Sequence, residues 1–118
     1  IPVAGSTDAP YGDPDPWAAM RSAVLRKSRS GFCLGRGERL SPEQALALFT
    51  CAADDPGGAS RTVAKGSAAD LCLLRCNWAE ARLRLRSEDV RATIRGGVLI
   101  HSREQPLAAG RQSATALA

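Results

Sequence analysis

Proline and glycine punctuate this chain so closely that they set where its regular elements can start and stop. Pro10, Pro14, Pro16, Pro42 and Pro56 fall in its first half, with Gly12, Gly31, Gly35, Gly37, Gly57 and Gly58 among them. Proline removes a backbone donor and glycine opens left-handed torsions, so helices and strands must be short. Two of the prolines open helices instead. Asp15-Pro16 places a capping carboxylate before a proline at the first helical position. Trp17, Met20, Ala23 and Val24 follow at helical spacing, while Arg21, Arg26 and Lys27 lie on the other face or toward the end, where cations suit the helix dipole. This pattern predicts a helix that stops near residues 28–31. Ser41-Pro42-Glu43-Gln44 is a second start, a capping box, and Ala45, Leu46, Leu48 and Phe49 form its apolar side. Asp54-Asp55-Pro56-Gly57-Gly58 ends that unit.

The strand signals lie at the two ends. Ile1 to Thr7 reads as the end of a buried strand, broken by Asp8-Ala9-Pro10 and by a turn at Gly12-Asp13-Pro14. Leu71-Cys72-Leu73-Leu74 is a continuous apolar run, which predicts a strand buried on both faces. Trp78 to Asp89 is open between helix and strand: Leu83 and Leu85 alternate with arginines, yet the Ala- and Glu-rich start favours a helix. Val90–Ile94 and Val98–Ile100 flank Gly96-Gly97, a favoured two-residue hairpin turn. Residues 103–118 lack periodicity and are expected to be a disordered tail. The order is α/β: strand, two helices, then a group of strands. The opening strand has no sequence-adjacent partner and the chain begins at Ile1 without Met, so the expectation is a portion of a longer protein.

Composition narrows the function classes. Aromatic residues are only 4% of the 118, so the core must rest on Leu, Val, Ile and Ala. The net charge is +4, which raises nucleic acid as a partner. The arginines are scattered from Arg21 to Arg111, and too few aromatics interleave with them to make a stacking groove, so no nucleic-acid partner is expected. Gly31, Gly35 and Gly37 do not have phosphate-loop spacing. Cys33, Cys51, Cys72 and Cys76 form no Cys-x-x-Cys pair, and the single histidine, His101, is distant, which argues against a zinc knuckle. No basic leader precedes an apolar core, and no run approaches the roughly 20 residues that span a bilayer. Free thiols, a cytoplasmic location and no membrane partner are the expectation.

Three stretches together resemble the end of an enzyme of the amidohydrolase superfamily, in its amidohydrolase 3 branch. The first is Gly5-Ser6-Thr7-Asp8-Ala9-Pro10 with Asp13-Pro14-Asp15-Pro16-Trp17, similar to the last barrel strand and the loop and helix after it. The second runs from Leu40-Ser41-Pro42-Glu43-Gln44 to Thr50-Cys51-Ala52-Ala53, similar to a late helix. The third joins Gly66-Ser67-Ala68-Ala69-Asp70-Leu71 to Val90 through Gly97, similar to the closing strand and hairpin. The resemblance covers about residues 1–102. It implies an incomplete fold: residues 1–60 as the end of a metal-dependent β/α barrel, with Ile1–Thr7 its eighth strand, and residues 61–102 as half of a small β-sandwich. The Gly5-Ser6-Thr7-Asp8 run is one residue longer than the Gly-Ser-Asp or Gly-Thr-Asp usual in that strand.

What the resemblance implies for chemistry centres on Asp8. Metal-assisted hydrolysis of a carbon–nitrogen bond other than a peptide bond needs a group that takes a proton from water and returns it to the leaving nitrogen. Asp8 stands where the family places that carboxylate, at the end of a strand facing the metal. It is the expected catalytic residue and a candidate metal contact, the remaining ligands lying outside this chain. The bland alternative for Asp8 is a turn former before Pro10. The implied cofactor is a divalent metal, zinc first, held in the complete enzyme and not by this chain alone. The implied substrate is a small amide-type molecule. Asp13, Asp15, Asp54, Asp55 and Asp70 are expected to serve turns, a cap and a strand entry, and His101 to be a surface or packing residue. Two other classes stay open: a stand-alone interaction module that pairs through strand edges, and a weak nucleic-acid binder.

Overall fold

In the computed structural model, which describes residues 1–28, 30–103 and 116–117, helix α1 spans Pro16–Leu25. Asp15 starts it as anticipated: its Oδ1 accepts the Trp17 N–H at 2.9 Å, satisfying a donor that the first turn leaves free. The helix stops at Arg26, before the expected 28–31, with left-handed torsions there (φ 51°). The reason is a local clamp. Leu34 N–H donates to the Arg26 carbonyl at 2.8 Å, and Arg26 Nε donates to the Leu34 carbonyl at 3.0 Å, so the chain folds back at once. Helix α2 (Pro42–Ala47) has both halves of its capping box: Gln44 N–H donates to Ser41 Oγ at 3.1 Å, and Ser41 N–H donates to Gln44 Oε1 at 2.8 Å.

The ambiguous stretch after residue 77 is helical at its start. Helix α3 (Trp78–Arg84) is capped by Asn77, whose Oδ1 accepts the Glu80 N–H at 3.0 Å. A strand would have put Leu83 and Leu85 on one face. Instead Leu83 is exposed and Leu85 is buried, because Leu85 turns left-handed (φ 47°) and closes the helix onto the Ala81 carbonyl.

The sheet has four strands, β1 (Leu71–Leu74), β2 (Val90–Arg95), β3 (Val98–Ser102) and β4 (Ala116–Leu117), all antiparallel in the order β3-β2-β1-β4. Gly96 and Gly97 both have positive φ (54° and 81°), as a tight hairpin matched to strand twist requires. Asp70 fixes that hairpin from below. Its Oδ1 accepts the Gly96 N–H at 2.7 Å and its Oδ2 pairs with Arg61 at 2.9 Å. The Gly96 N–H, then Arg61, hold the Asp70 carboxyl below its ordinary range.

The helices cover one face of this sheet. Trp17, Met20, Ala45, Leu74, Ala81 and Leu85 form the core cluster, with Cys72, Val90 and Leu117 packed against it. Alternation along β1 therefore sends Cys72 and Leu74 to the helices and Leu71 and Leu73 to the other face. Double burial of β1 is thus not realised: Leu74 is fully buried, but Leu71, Cys72 and Leu73 are half-buried. On the second face the register aligns Leu71 with Ile94 and Ile94 with Leu99, and Leu99 is exposed.

Two further expectations need correction. Ile1–Thr7 is not a strand; it has no regular structure and is mostly exposed, with Gly5 N–H donating to the Leu48 carbonyl at 2.8 Å. A strand is defined by its ladder, and none of β1–β4 lies beside this segment. The tail expected at 103–118 falls largely outside the described residues. Its described parts are ordered, since Arg103 N–H bonds the Arg91 carbonyl at 2.8 Å and Ala116–Leu117 pairs with Cys72–Leu73. The open edge of β1 supplies the donors and acceptors that recruit β4.

One polar clasp joins α2 to α3. Arg82 Nε and Nη2 donate to Glu43 Oε1 and Oε2 at 2.6 and 3.1 Å, and Trp78 Nε1 donates to Oε1 at 3.1 Å. The Arg82 hydrogen bonds, with a smaller share from Trp78, bring the Glu43 carboxyl from 4.5 down to about 2. A carboxyl depressed in the folded state binds fewer protons there than when unfolded. The clasp therefore stabilises above pH 4.5 and is lost as pH falls toward about 2. Melting temperatures of wild type and Glu43→Gln should differ at neutral pH and converge across that acid window. Leu74→Ala should destabilise by ~2–5 kcal/mol in denaturant titration, because among the described residues Leu74 is the large side chain with no exposure.

Candidate functional site

Asp8 stands on the exposed surface at the end of the amino-terminal segment. Its backbone is left-handed, φ 56°. Among the described non-glycine residues only Arg26 and Leu85 share that region, and both close a helix. Asp8 follows no helix. Aspartate tolerates these torsions better than most side chains, yet they still carry a local cost that the surroundings must impose. Those surroundings are specific. Asp8 N–H donates to Ser6 Oγ at 3.2 Å, and the Asp8 carbonyl accepts the Gly12 N–H at 2.8 Å. A Cβ on Gly12 would collide with the Thr7 carbonyl oxygen, so the return of the chain past Asp8 requires glycine. The Ser6 hydroxyl forms a local turn by accepting the Asp8 N–H.

The segment lies on a bed made by α2 and the loop after it. Gly5 is anchored to the Leu48 carbonyl, and a Cβ placed on it would lie 2.5 Å from Phe49 Cε2. A Cβ on Gly57 would lie 2.5 Å from the Val3 nitrogen. Neither contact was legible beforehand. Phe49 carried only the signal of an apolar helix side, and Ser6 only that of a hydroxyl two residues before an aspartate.

Other acidic residues hold the backbone or pair with arginine. Asp13 Oδ1 accepts the Asp15 N–H at 3.0 Å, Asp15 caps α1, and Asp70 holds the hairpin. Asp55 closes a turn, its carbonyl accepting the Gly58 N–H at 3.0 Å. Asp89 takes both Arg84 Nε and Nη2, at 3.1 and 3.0 Å. His101 is exposed on β3.

Asp8 lines none of three surface clefts that the fold presents, two beside the 59–63 loop and one between the start of α1 and residues 83–88. Among the described residues no group of three or more His, Cys, Asp and Glu side chains is placed to hold a metal ion. The four cysteines are free and half-buried, and burial pushes the Cys72 thiol up. No helix among the described residues is long and apolar enough to cross a membrane.

Asp8 is thus an exposed aspartate with left-handed backbone torsions, at the end of a segment anchored on the turn after α2. A family model described as the amidohydrolase family matches residues 1–101. No curated protein and no solved structure is significantly similar to the chain. The match takes in Asp8, both long-range anchors of its segment, every element from α1 to β2 and all of β3 but Ser102. The chain belongs to the amidohydrolase family.

Proposed function

We propose that this chain is the carboxy-terminal part of a hydrolase acting on carbon–nitrogen bonds other than peptide bonds in small amide-type molecules, with Asp8 as its proton-transfer residue. The observation that carries the reading is the Asp8 backbone: a left-handed aspartate outside any helix end, in a segment covered by the family match. Costly torsions persist where neighbouring structure imposes them, and they concentrate at functional sites. In this reading residues 1–60 are the end of a β/α barrel and 61–102 half of a β-sandwich. Ile1–Thr7 becomes a strand only beside neighbours from polypeptide outside this chain.

Asp8 would act in two moves. Its carboxylate takes one proton as a water O–H bond breaks and the oxygen attacks the substrate carbonyl carbon. It then gives that proton to the nitrogen as the carbon–nitrogen bond breaks, which restores the carboxylate. An exposed carboxylate at a segment end can reach both atoms without displacing core packing.

Amidohydrolases are generally metal-dependent, and a divalent ion such as zinc would polarise the carbonyl and acidify the water. The described residues do not fit such a site by themselves, since no cluster of potential ligands accompanies Asp8. Its ligands, with Asp8 at most one of them, belong to the rest of the enzyme.

In the complete enzyme, assayed on N-formyl and N-acetyl amino acids and cyclic imides, Asp8→Asn should lower kcat/KM by ~10²–10⁴-fold, the scale of general acid–base catalysis. Wild-type turnover in that variant would remove Asp8 from the reaction. The 118-residue chain alone should hydrolyse none of these compounds; measured turnover by the purified chain would show that the chemistry is self-contained.

A further inference from the structure

We infer that Phe49 and the Leu48 carbonyl, at the carboxy-terminal end of α2, are the dock that positions Asp8, and that Gly5 is the residue they grip. The role in catalysis rests on the reading of Asp8 as the proton-transfer group; the dock itself rests on geometry.

Gly5 is not a torsional glycine, because its φ lies outside the left-handed region. Its need for a bare Cα comes from proximity. An added Cβ would sit 2.5 Å from Phe49 Cε2 and 2.6 Å from Cζ, closer than carbon atoms tolerate. The ring therefore lies flush on the Gly5 backbone while the Leu48 carbonyl takes its N–H at 2.8 Å. One contact fixes the height of the segment above α2 and the other fixes its register along α2.

The dock is rigid because α2 is held at several points. The Ser41 capping box fixes its start, the Glu43 clasp ties it to α3, and Phe49 packs against the core cluster. From Gly5 the path to Asp8 is short and bonded. Ser6 Oγ accepts the Asp8 N–H, and Gly12 N–H closes on the Asp8 carbonyl. A shift at Gly5 is thus carried to the carboxylate, whereas slack at Gly5 would leave it to wander. Phe49 is a positioning residue that never meets the substrate.

A structural role for Phe49 alone and a docking role differ in amide exchange. In the 118-residue chain followed by NMR, Phe49→Leu should speed exchange of the Gly5 and Gly12 amides about fivefold or more, a local opening, while Val24 and Thr93 keep their rates. Gly5→Ala should do the same, since its methyl meets the ring. Gly5→Ala placed in the Phe49→Leu background should add little, because the smaller side chain makes room for the methyl. Phe49→Met replaces Phe49→Leu if the latter does not fold. A uniform rise at all four amides, no change at Gly5, or effects of the two substitutions that simply multiply would each overturn the dock.

In the complete enzyme, with the same amide panel, Gly5→Ala should cut kcat ~10–100-fold with KM within about twofold, as expected when a reacting group is misplaced by an ångström. An inactive Asp8→Asn beside an unimpaired Gly5→Ala would sink the positioning inference and leave Asp8 in place. A fully active Asp8→Asn would sink the catalytic reading, and the exchange data would still judge the dock.

Discussion

Three short helices reach the sheet through one small cluster around Leu74, and the rest of the structure depends on that meeting. With so few aromatic residues, the cluster contains a single one, Trp17, with Trp78 and Phe49 packed against it. Ala45 from α2 and Ala81 from α3 are both fully buried, which lets the helices approach closely enough to enclose a single leucine. A core this small buries little area per residue. Polar clasps therefore do unusual work at the rim. Glu43 joins α2 to α3, Arg21 Nη1 donates to the Leu85 carbonyl at 2.9 Å, and Asp70 ties the hairpin to the 61 loop. Each holds an orientation that packing alone would leave loose.

What could be read in advance follows the range of the interaction concerned. Asp15, the Ser41–Gln44 box and Gly96-Gly97 act within a few residues, so their elements stand where the sequence put them. Arg26 and Leu85 were less legible, because a left-handed non-glycine depends on a clamp or a burial that local composition does not display. Leu85 shows this plainly: its spacing from Leu83 imitates a strand, and only the closure onto Ala81 takes it inward. Partners distant in the chain were invisible. Nothing in Ile1–Thr7 reveals the absence of a ladder neighbour among β1–β4, and nothing in Ala116-Leu117 announces an edge to join.

The candidate site shows the same division. Asp8 was singled out because Gly5-Ser6-Thr7-Asp8-Ala9-Pro10 resembles a known strand end, and the family match covers that stretch. The residues that hold it in place were not. Gly5 reads as a motif glycine until the Phe49 ring supplies the reason, and Gly12 reads as a turn glycine until the Thr7 carbonyl does. Resemblance singled out the proposed proton-transfer carboxylate; packing explains why its neighbours are what they are.

The hairpin carries a practical consequence. β3 closes one side of the described sheet, and Val98, Leu99 and Ile100 are all more than half exposed along it. Among the described residues no strand pairs with its outer flank, and an apolar edge strand is a template for another strand. Made by itself at high concentration, this polypeptide would tend to stick to its own copies there, and lysine at Leu99 would be the first substitution for keeping it in solution.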